Sequence, residues 1–469
     1  MMPQGRVGGK RRRRDATDMD GYRKRLARDL ERWIAQGLVD PANRQAILDS
    51  ASSGRPAWSA TGAAAILGAV LLGLAAITFV AANWAEMARA LRFGVILAAL
   101  WAAFAGAAAA FARDRDAVGH ALALLGAALF GAAITLTAQT FNMSAFRNTG
   151  VLIWTGGALA TALVLPSRPV LILAALLGAA WAVLESVNPY APDILWSYLA
   201  VWALTAAAAT RMHSLVSWTL LAIGLFVWLG FTMKSFVDAG ALFELEAFAL
   251  YALIAAAIAL AASALREARL AGAGVLSNWA AIAGLLAGWA LQFPIAAYVR
   301  TVERAERADW LDPGTRWAEV FGPESGAFLV PALVAGGVIL ACGLYARARG
   351  RLETSALAAV LAATAFLIAL PFIARAAGPE AVAALRIGIG AAVYAVAVGL
   401  ILQGARGERR VIGGIGVAAF ILQSIYVYAT LFGDLLDTAV FFLVGGALLL
   451  GLAFAAARWR GRRQAGGGS

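Results

Sequence analysis

Residues 61–84 read TGAAAILGAVLLGLAAITFVAANW, a run that contains no charged residue and closes on Asn83 and Trp84. About 20 consecutive apolar residues suffice to cross the roughly 30 Å hydrocarbon core of a bilayer as an α-helix. The run is rich in Ala, Leu and Gly and is much longer than the roughly ten-residue strands of a membrane β-barrel. It therefore predicts a transmembrane helix.

Similar apolar stretches fill most of the remaining chain. Of the 469 residues, 62% are hydrophobic and 14% are charged, whereas about 25% of residues are charged in a typical soluble protein. We predict an all-α polytopic bundle of about 14 spans over residues 61–457, without a large soluble catalytic domain. The predicted spans are 61–82, 92–112, 119–141, 150–165, 169–187, 194–210, 216–233, 245–265, 275–299, 327–346, 354–374, 381–403, 410–431 and 436–457. The fourth is the weakest, because it is short and closes at Pro166; if it does not span, every later loop changes side.

The basic residues orient this bundle. If the amino terminus is cytoplasmic, 29 of the 39 Lys and Arg residues fall on the inner side and 10 on the outer side. Cytoplasmic loops carry such an excess of basic residues. We therefore predict a multi-pass protein of the bacterial inner membrane with both termini inside, and the net charge of +12 does not require a nucleic-acid partner.

The two ends of the chain are predicted to be separate from the bundle. Residues 1–19 are a basic, disordered tail, and residues 20–55 are a small cytoplasmic helical hairpin. Gly37 is suited to end its first helix, and Asp40-Pro41 to begin its second, with Asp at the N-cap and Pro at the first helical position. Residues 458–469 are a second basic tail, and their Gly466–Ser469 end resembles an expression linker.

The hairpin has three interpretations. Trp33 and Leu38 are candidate docking residues for a cytoplasmic or membrane protein partner. The Arg11–Arg14 run could instead attract anionic lipid, at about 1 kcal/mol for each basic residue. In the third interpretation the apolar residues only hold the hairpin together and the arginines only set topology.

Polar residues gather at the outer ends of the first five spans. A polar group inside the membrane is costly unless it is paired, and so it is a functional candidate. Arg92 and Glu185 are candidate ion-pair partners, and the cluster could receive an anionic headgroup on Arg92 and Arg147 or relay a proton through Glu185. The alternative is an interhelical polar clamp with interfacial tryptophans. The candidate substrate-binding residues are Asn83, Trp84, Arg92, Gln139, Asn142, Trp154 and Glu185.

Weaker candidates lie farther along the chain. Gln292 precedes Pro294 in the ninth span, and Pro371 interrupts the eleventh; proline-broken helices can line transport sites, although kinks without function are common. Glu244 and Glu246 open the eighth span, where the helix dipole accommodates carboxylates. The outer loop 300–326 alternates charge signs and is either a lid or a solvated connector.

Several kinds of chemistry are disfavoured. The single cysteine, Cys342, lies in an apolar segment, and His120 and His213 are the only histidines. This leaves no basis for a disulfide framework or for a Cys or His metal site. No Walker loop or nucleophile elbow appears. We predict no metal, no cofactor and no catalytic residue, and an enzyme is not favoured.

Three separated segments resemble one bacterial family. They are LERWIAQGLVDPANRQAIL at 30–48, FVAANW at 79–84 and LFGAAITLTAQTFNMS at 129–144. Over residues 26–165 they are similar to domain of unknown function 2157, described only as predicted membrane proteins. The resemblance singles out Trp33, Gly37, Leu38, Asn83, Trp84, Arg92, Gln139 and Trp154. Phe141-Asn142 departs from the tyrosine and histidine more common in the family, which weakens a proton-transfer role there.

Three functions fit this sequence. The first is a transporter or flippase for an amphipathic, lipid-linked or anionic envelope substrate, in contact with membrane lipids. The second is a non-catalytic scaffold or sensor that recruits a partner through the hairpin. The third, ranked last, is an intramembrane enzyme acting on lipid-linked glycans.

Overall fold

A computed structural model describes the chain at residues 26–53, 60–82, 88–140, 147–267, 270–306, 325–350, 354–377, 379–406 and 410–431, and at the single residues 443 and 446. Within these residues the protein consists of helices and turns, with no strand, as the all-α prediction requires. Contacts divide the chain into two compact units, Met1–Gly68 and Ala69–Ser469.

Sixteen helices are numbered here in chain order through the described residues. They are α1 (26–35), α2 (Arg44–Ser53), α3 (Ala60–Ala82), α4 (Arg89–Phe111), α5 (Asp116–Thr140), α6 (Thr149–Val164), α7 (Arg168–Ser186), α8 (Ser197–Arg211), α9 (Leu215–Asp238), α10 (Glu244–Glu267), α11 (Ala273–Ala290), α12 (Ile295–Glu306), α13 (Ser325–Ala348), α14 (Thr354–Ala377), α15 (Val382–Arg406) and α16 (Arg410–Leu431).

The first unit contains the predicted pair of short helices. Gly37 ends the turn after α1 with φ of +72°, and the N–H of Leu38 donates back to the carbonyl of Trp33. Asp40 then accepts a hydrogen bond from the N–H of Ala42 at 2.9 Å and begins a short 3₁₀ turn that leads into α2. The predicted capping roles of Gly37 and Asp40 are confirmed. The cytoplasmic location of the hairpin stays a prediction.

Ten of the described helices are long and apolar enough to cross a membrane: α4, α5, α7, α9, α10, α11, α13, α14, α15 and α16. Helices α3, α6 and α8 also coincide with predicted spans. However, α6 has only 16 residues and α8 only 15. The fourteenth predicted span, 436–457, lies almost wholly outside the described residues. The multi-pass prediction is confirmed in this coarser form, whereas the count of 14 stays a prediction.

Apolar side chains cover much of the outside of these helices. Trp101, Leu204, Val334 and Ile387 are each more than 60% exposed. Large contiguous apolar surfaces are rare on soluble monomers and mark contact with a membrane or a partner. The exposed faces therefore agree with a bundle surrounded by lipid.

Small residues allow several helices to approach closely. A Cβ on Gly416 of α16 would lie 2.6 Å from the carbonyl oxygen of Ala397 on α15, and one on Gly413 would lie 3.3 Å from Cα of Gly404. Helices in lipid pack through such small residues because water does not drive them together. A Cβ on the next residue, Gly414, would meet nothing within 4 Å.

The prolines divide the predicted ninth span but not the eleventh. Residues 275–299 form two helices, because α11 ends at Ala290 and α12 begins only at Ile295, directly after Pro294. Pro371 instead lies inside the continuous helix α14. The single-helix prediction for 275–299 is thus wrong, and Gln292 lies in the turn between the two helices.

Candidate functional site

The predicted residues of the first five spans are only partly described. Asn83, Trp84 and Asn142 lie outside the described residues. Arg92 is half-buried on α4, and Gln139 is exposed near the end of α5.

Trp154 joins α6 to α5. Its indole N–H donates to the carbonyl of Ala127 at 2.8 Å. Its ring lies over Gly131, where an added Cβ would approach to 2.1 Å. These contacts explain why a tryptophan on α6 faces a glycine on α5. They are the contacts expected of an interhelical polar clamp. The role of Trp154 in substrate binding stays a prediction.

Glu185 is the centre of the first polar cluster, which we call the Glu185 cluster: Glu185, Arg147 and Asn148. The carboxylate of Glu185 is 1% exposed and accepts from Nε of Arg147 at 2.5 Å. It also accepts from the backbone N–H and the side-chain amide of Asn148, at 2.9 and 3.1 Å. The ion-pair partner of Glu185 is therefore Arg147 and not the expected Arg92. The cluster ties the entry of α6 to the end of α7.

A second carboxylate, Glu246, is enclosed by three helices. Nη2 of Arg375, near the end of α14, donates to Glu246 at 3.1 Å, and Nε of the same arginine donates to the Tyr298 hydroxyl on α12 at 2.6 Å. The backbone N–H of Phe243 donates to the other Glu246 oxygen at 3.1 Å. Glu246 thus caps the start of α10, as a carboxylate in a first helical turn does, and also bridges to α14. We call Glu246, Tyr298 and Arg375 the Glu246 cluster.

Aromatic rings close the Glu246 cluster. The guanidinium carbon of Arg375 lies 5.6 Å from the ring centre of Phe243 and 5.8 Å from that of Tyr298. Cations within about 6 Å of an aromatic face are attracted to it. The hydroxyl of Tyr298 also lies 3.3 Å from the carbonyl oxygen of Pro371. Every polar group of this cluster therefore has a partner in the protein.

An uncharged pair holds the break between α11 and α12. The side-chain amides of Gln292 and Gln423 exchange two hydrogen bonds, at 3.0 and 3.1 Å, and both residues are buried. Gly390 of α15 makes room for the pair, because a Cβ there would lie 2.7 Å from the amide nitrogen of Gln423. The pair fastens the turn to α16, as polar side chains do between membrane helices.

A cavity of about 840 Å³ lies between α9, α10 and α11, and we call it the groove. Most of its wall is apolar or aromatic. Four of its apolar residues are themselves exposed, so the groove opens on the side of the bundle: Ile223, Val227, Phe248 and Leu286. A smaller cavity of about 430 Å³, lined mainly by apolar residues, lies beside it between α11, α15 and α16 and shares Ile282, Leu286 and Trp289 with the groove.

Charged residues stand at one end of the groove. Lys234 forms an ion pair with Asp238, one turn later on α9. Glu244, the first residue of α10, lines the groove as well and is exposed, and its carboxylate has no ion pair with any residue that the structure describes. The groove is therefore an amphipathic cavity, with an apolar body and a charged end.

Neither cavity is lined by Arg92 or Glu185. Across the described part of the chain, no three His, Cys, Asp or Glu side chains come together as a metal site requires.

On the hairpin, Trp33 and Leu38 are 41% and 70% exposed, so both are accessible on their own unit, as docking would need.

The groove and the Glu246 cluster were not predicted. The Glu246 cluster depends on contacts between helices far apart in sequence, such as α10 and α14. The groove depends on which faces of the consecutive helices α9, α10 and α11 meet. One signal was available: Glu246 lies in the first turn of the predicted span 245–265 and Arg375 directly follows the predicted span 354–374, and opposite charges at the membrane tend to pair with one another.

Comparison with known proteins gives a family match. Residues 31–171 match the family model described as "Predicted membrane protein (DUF2157)", which confirms the resemblance predicted from the motifs. The match begins within α1 and ends at the start of α7, so it covers most of the hairpin and α3–α6 but neither the groove nor the Glu246 cluster. No curated protein and no solved structure matches the chain.

Proposed function

We propose that this protein is a transporter of an amphipathic, lipid-like molecule and that the groove between α9, α10 and α11 is its binding site. The observation that carries the proposal is the union of an apolar wall with a charged end in one laterally open cavity. A molecule with an acyl chain and a polar head has the same division.

The length of the groove suits such a molecule. From Ile223 to Asp238 its wall on α9 extends about 22 Å, at 1.5 Å per residue. One leaflet contributes about half of the roughly 30 Å hydrocarbon core. The groove is thus long enough for one chain of a leaflet lipid together with its headgroup.

The apolar wall does not by itself select a substrate. A lipid tail that leaves the bilayer for the groove exchanges one apolar environment for another, so it gains little hydrophobic free energy. Selection of one lipid over another must then come from the charged end and from the shape of the groove.

The break between α11 and α12 is the part of the fold best placed to change the groove. The groove wall ends at Trp289 and Ala290, and the turn that holds Gln292 follows at once. Broken helices in transporters provide hinges and exposed backbone groups near the substrate. In our proposal the Gln292–Gln423 pair holds one of two arrangements of this turn.

We further place the protein in the bacterial inner membrane with both termini cytoplasmic, which the 29 to 10 division of basic residues supports. In this orientation the Glu246 cluster and the charged end of the groove belong to the outer side. Asn83, Trp84, Arg92, Gln139, Asn142, Trp154 and Glu185 remain a separate proposal for substrate contact, with Arg147 as their accessible cation.

The experiment is lipid translocation by the full chain in proteoliposomes, with and without an imposed pH gradient. The probe is a phospholipid with a fluorophore on its acyl chain, and outer-leaflet fluorescence is removed chemically. We expect faster translocation than in protein-free vesicles. Gly230→Leu, which places a side chain in the groove, should reduce the rate at least tenfold.

Gly337→Leu is the matched control, because Gly337 on α13 is exposed and an added Cβ there meets nothing within 4 Å. It should translocate lipid like the unchanged protein. Equal rates in protein-containing and protein-free vesicles, or equal loss in both glycine variants, would overturn the proposal.

A second function has one observation in its favour. The exposure of Trp33 and Leu38 suits a scaffold that recruits a partner through the hairpin. It is compatible with transport, because it uses a different unit of the chain.

A further inference from the structure

The charged end of the groove has a composition that restricts the headgroup. It holds one ammonium group, on Lys234, and two carboxylates, on Asp238 and Glu244, so its formal charge is −1. Lys234 and Asp238 already offset one another. The carboxylate of Glu244 remains without an ion-pair partner among the described residues.

An anionic headgroup does not fit this arrangement. Its charge would be attracted to Lys234 and repelled by both carboxylates, and like charges that face one another across a contact are destabilising. A headgroup with a positive charge alone would satisfy Glu244 but would leave Lys234 paired as before. Neither uses all three residues.

We infer that the groove selects a zwitterionic phospholipid, with its phosphate at Lys234 and its ammonium group between Glu244 and Asp238. Lysine binds phosphate as a point charge with three donors. Both carboxylates are acceptors for the N–H groups of a primary ammonium. The phosphate replaces Asp238 as the partner of Lys234, which frees Asp238 for the ammonium group.

The geometry of the two helices supports this division. Lys234 and Asp238 are one turn apart on α9, while Glu244 comes from the start of α10 and lines the same cavity. The site thus presents its cation on one helix and, on the other, a carboxylate that has no ion pair within the part of the chain that the structure describes. This inference rests on the proposed function, because it names the class of lipid that the groove would take.

The test is lipid binding to the delipidated full chain, measured by native mass spectrometry. The probes are phosphatidylethanolamine and phosphatidylglycerol with identical acyl chains. We expect the zwitterionic lipid to bind about threefold to fivefold more tightly, the size expected of partly exposed charge contacts. Glu244→Gln should abolish this preference, and Lys234→Gln should weaken binding of both lipids.

Glu380→Gln and Arg211→Gln are the matched controls. Both residues are exposed and neither lines the groove. They should keep the preference. Equal affinity for the two lipids, tighter binding of phosphatidylglycerol, or a preference that survives Glu244→Gln would overturn the inference.

Lipid binding by Gly230→Leu distinguishes an incorrect headgroup inference from an incorrect proposed function. If Gly230→Leu abolishes binding of both lipids but the unchanged protein shows no headgroup preference, the groove binds lipid and only the inference is wrong. If Gly230→Leu leaves binding of both lipids intact, the groove is not the site and both proposals fail.

Discussion

The Glu185 cluster and the Glu246 cluster each pair a buried carboxylate with an arginine, on the same predicted side of the membrane, and they differ in how far the arginine is enclosed. Arg147 is 47% exposed, whereas Arg375 is 17% exposed and lies against two aromatic rings. Glu185 keeps two further donors from Asn148. The first cluster closes a connection between neighbouring helices, while the second joins three helices far apart in sequence.

This difference indicates how each arginine contributes to stability. An ion pair whose arginine is half exposed contributes less, because water already solvates much of that charge. An enclosed pair costs much free energy to break, because the charge that remains is buried without a partner. The Glu246 cluster should therefore hold together the half of the bundle that contains the groove.

The largest effect is expected for Arg375→Met. It leaves the carboxylate of Glu246 buried with only the N–H of Phe243 and the hydroxyl of Tyr298 as partners. We expect the free energy of unfolding to fall by about 3 to 5 kcal/mol, measured by unfolding in mixed micelles. Arg386→Met, at an exposed arginine of α15, is the control. Equal losses in the two variants would refute the enclosed-pair account.

Gln423→Leu tests how much an uncharged hydrogen-bonded pair contributes to the free energy of unfolding. It removes both hydrogen bonds to Gln292, and we expect a loss of about 1 to 2 kcal/mol, since bonds between membrane helices average about 0.6 kcal/mol. Gln403→Leu, at an exposed glutamine of α15, should have no measurable effect. A Gln423→Leu protein of unchanged stability would show that the turn at Gln292 is held by other contacts.

Arg147→Met should cost about 1 kcal/mol or less in the same assay. The donors of Asn148 remain on the carboxylate, and the guanidinium is half exposed already. The comparison between the two clusters fails if this loss equals that of Arg375→Met. If Arg147→Met slows lipid translocation without a change in stability, the two clusters differ in function as well, because Arg147 would then contact substrate.

The smallest effect on stability is expected for Trp33→Ala combined with Leu38→Ala. Both side chains are exposed, and such substitutions change stability by about 0.5 kcal/mol or less. If the hairpin recruits a partner, proteins that co-purify with the unchanged chain are lost from this variant but kept by Gln36→Ala, at an exposed polar position of the same turn. Identical sets of co-purified proteins would argue against docking.

The sequence predicted the local features of this fold well, for physical reasons that are themselves local. Apolar runs become helices because the backbone must satisfy its own hydrogen bonds in lipid. Gly37 and Asp40 act at the helix ends where they stand. The contacts of Glu246 with Arg375 and of Gln292 with Gln423 depend on which helices are neighbours and how each is rotated, and hydropathy along the chain does not specify either.

The candidate site was predicted less well for the same reason. The polar residues at the ends of the first five spans predict a site there, with Arg92 as the partner of Glu185, whereas the structure pairs Glu185 with Arg147. The lining of the groove comes from separate faces of α9, α10 and α11. Each helix alone shows mainly apolar residues, Lys234 and Asp238 pair within α9, and Glu244 by itself fits a helix N-terminus.

The central claim is that the groove holds an amphipathic molecule, and photo-crosslinking tests it most directly. A phospholipid with a photoreactive group in its acyl chain is reconstituted with the full chain, and the labelled peptides are mapped. The account predicts labelling concentrated on the groove residues of α9 and α11, competed by unlabelled lipid and lost in Gly230→Leu but not in Gly337→Leu. Labelling spread evenly over the exposed apolar helices, and unchanged by Gly230→Leu, would contradict it.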